Sequence, residues 1–155
     1  MSQILELNCF EELVRTAPLI SVDFIILNEQ NEVLLGYRNN NPAKGYYFIP
    51  GGRIRKDEKI SDALARVSFK ELGYSIPIED LKPIGIFEQF YETNYFEKQD
   101  ISTHYISMPY QLKYYWNKPL IHDQQHEQFM FFSLSEAQVN PLVHPYTKQI
   151  LKQIT

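Results

Sequence analysis

Residues 50–74 read PGGRIRKDEKISDALARVSFKELGY, a glycine turn followed by the clearest helix pattern in the chain. At about 100° per residue, a helix over 60–72 gathers four apolar side chains on one face. These are Ile60, Ala63, Leu64 and Val67. Gly73 predicts the end of this helix, because glycine readily adopts the left-handed conformation that follows a last turn.

Glu71 falls near the middle of that apolar face, where a carboxylate is costly unless a cation or several hydrogen-bond donors meet it. The preceding pair, Gly51 and Gly52, lets backbone groups approach a ligand closely, since glycine carries no side chain. Hard oxygen ligands of this kind suit Mg²⁺, which takes few protein ligands and keeps water and phosphate oxygens for the rest. The segment therefore indicates a magnesium site, and the ordinary alternative is a glutamate whose side chain reaches solvent.

Strand patterns flank this helix on both sides, and further helix patterns lie near the two ends of the chain. We predict strands over 19–28, 33–38, 46–49, 84–91, 104–116 and 128–133. Asn8 is expected to cap a first helix in a box with Glu11, and Pro18 ends that helix. Pro145 suits the first turn of a last helix. This order of elements predicts an α/β fold with a mixed β-sheet sandwiched between α-helices.

Length and composition limit the kinds of protein this chain can be. With 155 residues, 44% of them hydrophobic, it fits one domain over 1–155. A net charge of −4 offers no general attraction for nucleic acid or an anionic membrane. Cys9 is the only cysteine, and no apolar run resembles a secretory leader or a membrane span, so we expect a cytoplasmic protein. Eleven Tyr and ten Phe favour subunit interfaces and hence a homodimer.

The spacing within residues 52–74 resembles the Nudix box, G-x5-E-x7-R-E-U-x-E-E-x-G-U, in which U is a bulky aliphatic residue. Five positions match: Gly52, Glu58, Arg66, Glu71 and Gly73. Among the positions that differ, Val67 stands in place of a glutamate, Ser68 in place of an aliphatic residue and Lys70 in place of another glutamate. The resemblance implies the Nudix fold. The missing carboxylates argue against several metal ions on this helix and leave one Mg²⁺ on Glu71.

In these departures the chain resembles one Nudix branch, the GDP-mannose mannosyl hydrolases. Further segments resemble that branch: residues 18–25, 36–38, 41–53, 103–105 and 125–126. The resemblance implies hydrolysis of GDP-mannose, or of GDP-glucose, by water attack at the anomeric carbon with inversion and release of GDP. It also implies one Mg²⁺ per subunit, held by the backbone carbonyl of Gly51 and the side chains of Glu71 and Gln125.

The branch resemblance assigns the substrate-binding residues as well. Arg38 and Arg53 are expected to clamp the diphosphate, because a planar guanidinium binds two phosphate oxygens at once. Arg66 either contacts phosphate or orients Glu71. Gln89 stands where this branch often carries a histidine, so a contact to the leaving group is weakened or replaced there.

Three further residues carry the implied chemistry. His126 is the general base, since imidazole titrates near neutrality and can take a proton from the attacking water. Tyr105 donates a hydrogen bond to phosphate or sugar, whereas strand alternation sends His104 to the opposite face, where a structural role is equally expected. Asp23 lies in a buried strand and orients an arginine, binds a sugar hydroxyl or serves as a structural carboxylate.

Two other functions remain open beside GDP-hexose hydrolysis. A conventional Nudix pyrophosphohydrolase would cut a phosphorus–oxygen bond in a nucleotide-sugar or dinucleotide, and the absence of carboxylates at Val67 and Lys70 argues against it. A Nudix domain that only binds a nucleotide or a partner would need no catalytic residues. The presence of Arg38, Arg53, Glu71 and His126 argues against that reading.

Overall fold

The computed structural model describes residues 5–120 and 129–154, and it contains four α-helices and eight strands in that part of the chain. The helices are α1 (Leu7–Thr16), α2 (Ile60–Leu72), α3 (Leu134–Val139) and α4 (Pro145–Leu151). The first four strands are β1 (Leu19–Ile25), β2 (Glu32–Tyr37), β3 (Tyr47–Phe48) and β4 (Gly51–Arg53). The others are β5 (Leu81–Pro83), β6 (Phe87–Tyr91), β7 (Thr103–Leu112) and β8 (Phe129–Ser133).

The strands form two sheets. The first has the order β4-β1-β7-β5, with β6 also paired to β7. Strands β1 and β7 run parallel, and their neighbours pair antiparallel to them, so this sheet is mixed. The second sheet is antiparallel, with the order β3-β2-β8. The mixed α/β architecture predicted from the sequence is confirmed, although the strands divide between two sheets.

Two buried clusters form the core, and each contains residues of both sheets, such as Leu34 of β2 in the first and Ile25 of β1 in the second. Val22 and Phe24 of β1 pack against Leu64, Val67 and Leu72 of α2, all of them buried. This packing fixes α2 against the first sheet, with Val67 beside Gly52 of β4. A second buried cluster joins the second sheet to α4 and contains Val33, Leu35, Phe132, Ile150 and Leu151. These two clusters thus hold both sheets and the helices together.

The central helix follows its predicted bounds, 60–72. Gly73 has φ 82° in the left-handed region, and its N–H bonds to the carbonyl of Phe69, as expected of a terminating glycine. Ile60 is the exception on the predicted apolar face, since it is 40% exposed. It lies in the first turn, beyond the reach of the sheet, and the buried contacts of α2 begin with Ala63.

Other sequence predictions need correction. Asn8 does not cap the first helix, because α1 begins one residue earlier with Glu6 at its N-cap; the Asn8 side chain accepts only from the N–H of Cys9. Strands predicted over 19–28 and 104–116 end at Ile25 and Leu112. Residues beyond these ends still pair with each other, because Asn28 and Trp116 form an isolated parallel bridge.

Four short elements were not predicted: β4, a 3₁₀ helix over Ile78–Asp80, β5 and α3. Strand β4 corrects the turn predicted at Gly51 and Gly52, since both residues pair with β1. Strand β5 has only three residues and pairs with the far end of β7, and no local sequence pattern predicts this pairing. Helix α3 did have a signal: Ser133 is followed three residues later by Glu136, and the Ser133 hydroxyl accepts from the Glu136 N–H at 3.1 Å. No helix in the described part of the chain is long and apolar enough to cross a membrane.

Candidate active site

A cleft opens at the junction of the two sheets. Among its lining residues are five that the sequence singled out as substrate-binding or catalytic: Asp23, Arg38, Arg53, Gln89 and Tyr105. Asp23 comes from β1, Arg53 from β4, Gln89 from β6 and Tyr105 from β7, while Arg38 follows the end of β2. Phe48 and Ile49 complete the wall on the side of the second sheet. Five separate elements therefore bring these side chains together.

Strand register explains part of this convergence. Asp23 pairs with Gly51 across β1 and β4, and Gln89 pairs with Tyr105 across β6 and β7. Ser21 lies two residues before Asp23 on the same strand face and pairs with Ser107 of the parallel neighbour. The polar side chains are thus neighbours across the strands of one sheet.

Asp23 is held by two hydroxyl groups. The Ser21 Oγ donates to its Oδ2 at 2.7 Å, and the Ser107 Oγ donates to the same oxygen. Burial raises the pKa of Asp23 from 3.8 to about 6, although the two serines and Arg38 act in the opposite direction. The nearby carboxylate of Glu71 raises this pKa further. Asp23 is therefore a fixed acid or base placed next to the position expected for a metal ion.

Gly51 is glycine because Asp23 lies over it. A Cβ built on Gly51 would stand 1.9 Å from Oδ1 of Asp23 and 2.7 Å from the carbonyl oxygen of Val22, distances that no side chain can accept. At Gly52 the same atom would meet the methyl groups of Val67 at 3.1 Å. The Gly51-Gly52 pair of β4 thus allows the Asp23 carboxylate and Val67 of α2 to approach the strand closely.

The two arginines expected to bind diphosphate both line the cleft. Arg38 Nε donates to the carbonyl of Pro42 at 2.8 Å, and its guanidinium carbon lies 5.8 Å from the centre of the Phe48 ring. Arg53 donates to the carbonyl of Ile54 at 3.3 Å and lies 5.3 Å from the ring of Phe10 in α1. Each arginine is positioned by one backbone oxygen and one aromatic ring, which leaves further N–H groups for a ligand.

Tyrosines and Gln89 form the opposite part of the lining. Burial raises the pKa of Tyr105, which therefore stays a neutral hydroxyl able to donate a hydrogen bond. Burial likewise raises the pKa of Tyr91, whose hydroxyl donates to Oε1 of Gln89 at 3.0 Å. His104 is not on this lining and stacks instead on Phe90, with ring centres 4.5 Å apart.

Glu71 lines two depressions next to the cleft, each of which also contains Gly51. A backbone carbonyl and a carboxylate at one place are the donor types that Mg²⁺ takes, with Asp23 as a second carboxylate within electrostatic range. No group of three His, Cys, Asp or Glu side chains suited to a metal occurs in the described part of the chain. This limited donor set fits Mg²⁺, which commonly uses one or two carboxylates, and does not fit an all-protein cage.

Arg66 is occupied by contacts within the protein. Its Nε donates to Glu58 at 2.7 Å, and its Nη2 donates to Glu58 at 2.9 Å and to the Arg53 carbonyl at 2.8 Å. The Arg66 bond lowers the pKa of Glu58 more than any other contact does. Arg66 therefore ties the loop before α2 to the strand that carries Arg53, and it borders the depression that contains Glu71.

Two predicted residues, Gln125 and His126, lie outside the described residues. Sequence reasoning did not identify three of the described lining residues, Ser21, Phe48 and Tyr91. Ser21 had a signal, because it stands two positions before Asp23 in one strand and so shares its face. The two aromatic residues had none, since they become neighbours only when the sheets meet.

An aromatic cluster supports this wall of the cleft. His144 lies at its centre, with ring centres 4.8 Å from Phe48 and 5.7 Å from Tyr91. Its Nδ1 accepts from the N–H of Tyr146 at 3.0 Å and caps α4. Burial, with Arg38 acting in the same direction, lowers the pKa of His144 from 6.5 to about 4. A neutral imidazole thus supports the two rings that face the cleft.

Known proteins resemble this chain in sequence along most of its length. The family model of the NUDIX domain matches residues 17–154. The low-salt glycan biosynthesis protein Agl8 of Haloferax volcanii is 39% identical over 137 residues, which cover 88% of this chain and 85% of that protein. The ADP-ribose pyrophosphatase of Methanocaldococcus jannaschii is 34% identical over 70 residues, which cover 45% of this chain and 40% of that protein.

Solved structures show the same fold at lower identity. The MutT protein from Methanosarcina mazei Go1 matches with a TM-score of 0.70 and 21% identity, over 88% of this chain and 92% of that one. The NUDIX domain of Shewanella oneidensis NrtR, complexed with ADP ribose, matches with a TM-score of 0.68 and 17% identity, over 97% and 91%. Because the family model spans the glycine turn, α2 and every strand, the chain belongs to the Nudix family.

Proposed function

We propose that this Nudix protein hydrolyses a nucleoside diphosphate hexose, GDP-mannose or GDP-glucose, to GDP and the free sugar. The observation that carries the proposal is the convergence of Arg38 and Arg53 in one cleft with Asp23 and Tyr105. Two guanidinium groups suit a diphosphate, while a carboxylate and a neutral phenol suit sugar hydroxyls. A relative named for glycan biosynthesis adds support, since glycan assembly uses nucleotide-activated sugars.

Carbon rather than phosphorus is the proposed point of attack, because α2 lacks two of the carboxylates that the Nudix box carries. Val67 packs its methyl groups toward Gly52, and Lys70 places a positive charge where the box has a glutamate. Neither side chain can accept a proton from water near phosphorus. The hydrolytic bond change is then formation of a carbon–oxygen bond at the anomeric carbon and cleavage of the bond from that carbon to the diphosphate oxygen.

The chain's residues have separate tasks in this reaction. Arg38 and Arg53 hold the diphosphate and stabilise the charge that grows on it as the sugar departs. Tyr105 and Asp23 orient the substrate, and His126 takes the proton of the attacking water, a role that rests on the branch resemblance. Gly51, Glu71 and Gln125 would hold one Mg²⁺, which when bound supplies positive charge beside the leaving diphosphate.

A second candidate is a pyrophosphohydrolase that cuts between the two phosphorus atoms. It is favoured by the 34% identity to an ADP-ribose pyrophosphatase over 45% of the chain. A purely binding Nudix domain is the third candidate, and it would bind the same ligands without turnover. We extend the proposal to a cytoplasmic homodimer, for which exposed apolar residues such as Phe69 and Val139, 61% and 78% exposed, offer contact area.

Hydrolysis in ¹⁸O-labelled water with Mg²⁺ separates these candidates. Carbon attack places the label in the free hexose and leaves GDP unlabelled, whereas phosphorus attack labels a phosphate group. Mass spectrometry of both products from GDP-mannose, GDP-glucose and ADP-ribose reads the outcome directly. Label in phosphate would replace the first candidate with the second, and tight binding without products would select the third.

The His126→Gln variant tests the base within the same assay. We expect kcat to fall by about 10²–10⁴-fold, the usual contribution of a general base. KM should stay within a few fold, because the arginines are unchanged. The rise of the wild-type rate with pH should disappear in the variant. A variant that keeps this pH dependence shows that another group takes the proton.

A further inference from the structure

A depression beside Gly51 and Gly52 is lined by more cationic than acidic side chains. It lies between β4 and the second half of α2, and it shares Gly51, Gly52 and Arg53 with the cleft. Its lining contains four cationic side chains, Arg53, Arg55, Arg66 and Lys70. The one acidic side chain among the described lining residues is Glu71. This concentration stands out in a chain whose net charge is −4.

Two of these four cations are compensated or engaged elsewhere. Arg66 forms its ion pair with Glu58, and Arg53 borders the cleft and packs on Phe10. The side chains of Arg55 and Lys70 have no hydrogen bond or ion pair to any residue in the ranges 5–120 and 129–154. They therefore offer all of their donors to the depression and to solvent.

The positive charges also act on one another. Burial is the first cause that lowers the pKa of Arg53, and Arg55 and Arg66 lower it further by direct repulsion. The guanidinium groups of Arg55 and Arg66 thus each lie within electrostatic range of Arg53, and the Glu58 carboxylate opposes this repulsion. A bound oxyanion would relieve this repulsion and satisfy the open donors together.

Lys70 gives the depression a charge opposite to the one that the Nudix box provides. The box has a glutamate at this position, directly before the glutamate represented here by Glu71. A carboxylate would repel phosphate oxygens unless a metal ion lay between them, whereas an ammonium attracts them without one. Arg55, on the loop leading into α2, adds a second fixed cation.

We propose that Arg55 and Lys70 form an oxyanion subsite that binds the phosphate groups of a nucleoside diphosphate without the help of a divalent cation. The inference rests on the proposed function for the identity of the anion as a diphosphate. The subsite adds the cations of Arg55 and Lys70 to those of the cleft, which it adjoins at Gly51, Gly52 and Arg53. Nucleotide binding should accordingly be less dependent on metal than it would be with a glutamate at position 70.

A simpler role exists for Lys70 alone. It lies in the last turn of α2, where a positive charge interacts favourably with the partial negative charge of the helix end. That role predicts a small loss of stability when the charge is removed and no change in anion binding. It gives no account of Arg55, which lies outside the helix.

Inorganic pyrophosphate in EDTA is the probe, because it carries neither base nor sugar and cannot bind through a metal. Calorimetric titration at low ionic strength should show binding to the wild type. Arg55→Gln and Lys70→Gln should each weaken it about three- to tenfold, and the double variant should lose more than either, as expected for charge contacts near a protein surface. Lys70→Arg should retain binding, since it keeps the charge.

Lys56→Gln is the matched control. Lys56 adjoins Arg55 in sequence, is 91% exposed and pairs with Asp57. Its removal lowers the net charge by the same amount without touching the depression, so pyrophosphate affinity should be unchanged. Melting temperatures of all variants separate loss of binding from loss of folding.

Two results would overturn the inference: no pyrophosphate binding by the wild type in EDTA, or equal affinities for wild type, Lys70→Gln and Arg55→Gln. An equal loss in Lys56→Gln would also overturn it, because net charge alone would then explain the effect. The outcome is independent of the ¹⁸O experiment. Label found in phosphate contradicts the proposed reaction and leaves pyrophosphate binding by Arg55 and Lys70 unaffected.

Discussion

Position 51 requires a glycine because Asp23 lies against it, and not because of its own backbone angles. Its Cα faces the Asp23 carboxylate so closely that any Cβ would occupy the same space. This contact affects both the packing and the chemistry of the cleft, because Asp23 is also a lining carboxylate. Burial raises the pKa of Asp23 to about 6. A single hydrogen atom on Gly51 thus lets the acid reach the base of the cleft.

Gly51→Ala should therefore destabilise the protein and lower its activity more than Gly52→Ala does. The first change forces the Cβ against a backbone carbonyl at 2.7 Å, whereas the second meets side-chain methyl groups at 3.1 Å that can shift. We expect a loss of about 2–4 kcal/mol for Gly51→Ala, the range of strongly overpacked sites. Urea unfolding and kcat/KM of both variants provide the measurement. Equal effects would mean that Asp23 can move away from β4.

His144 should make the stability depend on pH. Its pKa is lowered from 6.5 to about 4 in the folded protein, so the unfolded chain takes up the proton first as the pH falls. This stabilising difference is complete above about pH 6.5 and is lost between pH 6.5 and 4. Asp23 has the opposite sign, because its pKa is raised from 3.8 to about 6, and its contribution is lost as the pH rises through that window.

The His144→Asn variant separates the two groups, since asparagine can still cap α4 and cannot titrate. In metal-free buffer, the stability difference between wild type and variant should shrink by roughly 1–3 kcal/mol as the pH falls from 7 to 4. Unfolding by urea at several pH values measures this difference. A difference that does not change with pH would show that His144 keeps its ordinary pKa in the folded protein.

At the level of elements, the link between α2 and β4 matters most. Glu58 is only 5% exposed at its side chain, and Arg66 reaches from α2 to this carboxylate and to the carbonyl of Arg53. The link fixes the strand that carries Arg53 relative to the helix that carries Glu71. The box residues Glu58 and Arg66 thus fix the relative positions of the two elements whose residues are expected to contact the ligand.

Arg66→Ala should cost roughly 2–4 kcal/mol of stability, because it removes the charged partner of a buried carboxylate, which keeps only the Arg55 N–H, and leaves the Arg53 carbonyl without this donor. Replacing both partners, with Glu58→Gln and Arg66→Met, should cost less than Arg66→Ala alone. Thermal unfolding of the three proteins provides the comparison. If Arg66→Ala lowers only substrate affinity and leaves the melting temperature unchanged, Arg66 acts on the substrate as the sequence resemblance implied.

At the level of the whole molecule, the cleft is lined by residues from both sheets. Ligand groups contributed by Arg38 and Phe48 belong to the second sheet, and those of Asp23, Arg53 and Tyr105 belong to the first. A nucleotide bound between them stabilises the folded state by mass action and bridges both layers. Binding should therefore reduce local opening on both sides of the cleft at once.

Amide hydrogen exchange tests this expectation. GDP with Mg²⁺ should slow exchange in β3, residues 47–48, and in β6, residues 87–91, relative to protein in EDTA. Strand β5, residues 81–83, contributes no residue to the cleft lining and serves as the internal control. Protection in only one of the two cleft strands would contradict a ligand that spans both sheets.

The helix over 60–72 and most strands could be predicted because their signals are local. Periodicity, a terminating glycine and runs of β-branched residues act within a few positions of one another. The predictions at Asn8 and Ile60 were wrong because they used only local patterns, which do not show where the sheet lies. Strand β5 exists only because β7 offers it a partner.

The sequence by itself determined the Nudix family, the central helix and the positions of Arg38, Arg53 and Glu71 along the chain. These depend on residue identity at set spacing, which is visible without coordinates. Only the tertiary structure decided that Asp23 covers Gly51, that Arg66 pairs with Glu58 and that Arg55 and Lys70 share one depression. Such contacts join residues from different elements, and their energies depend on burial and distance that no spacing in the sequence specifies.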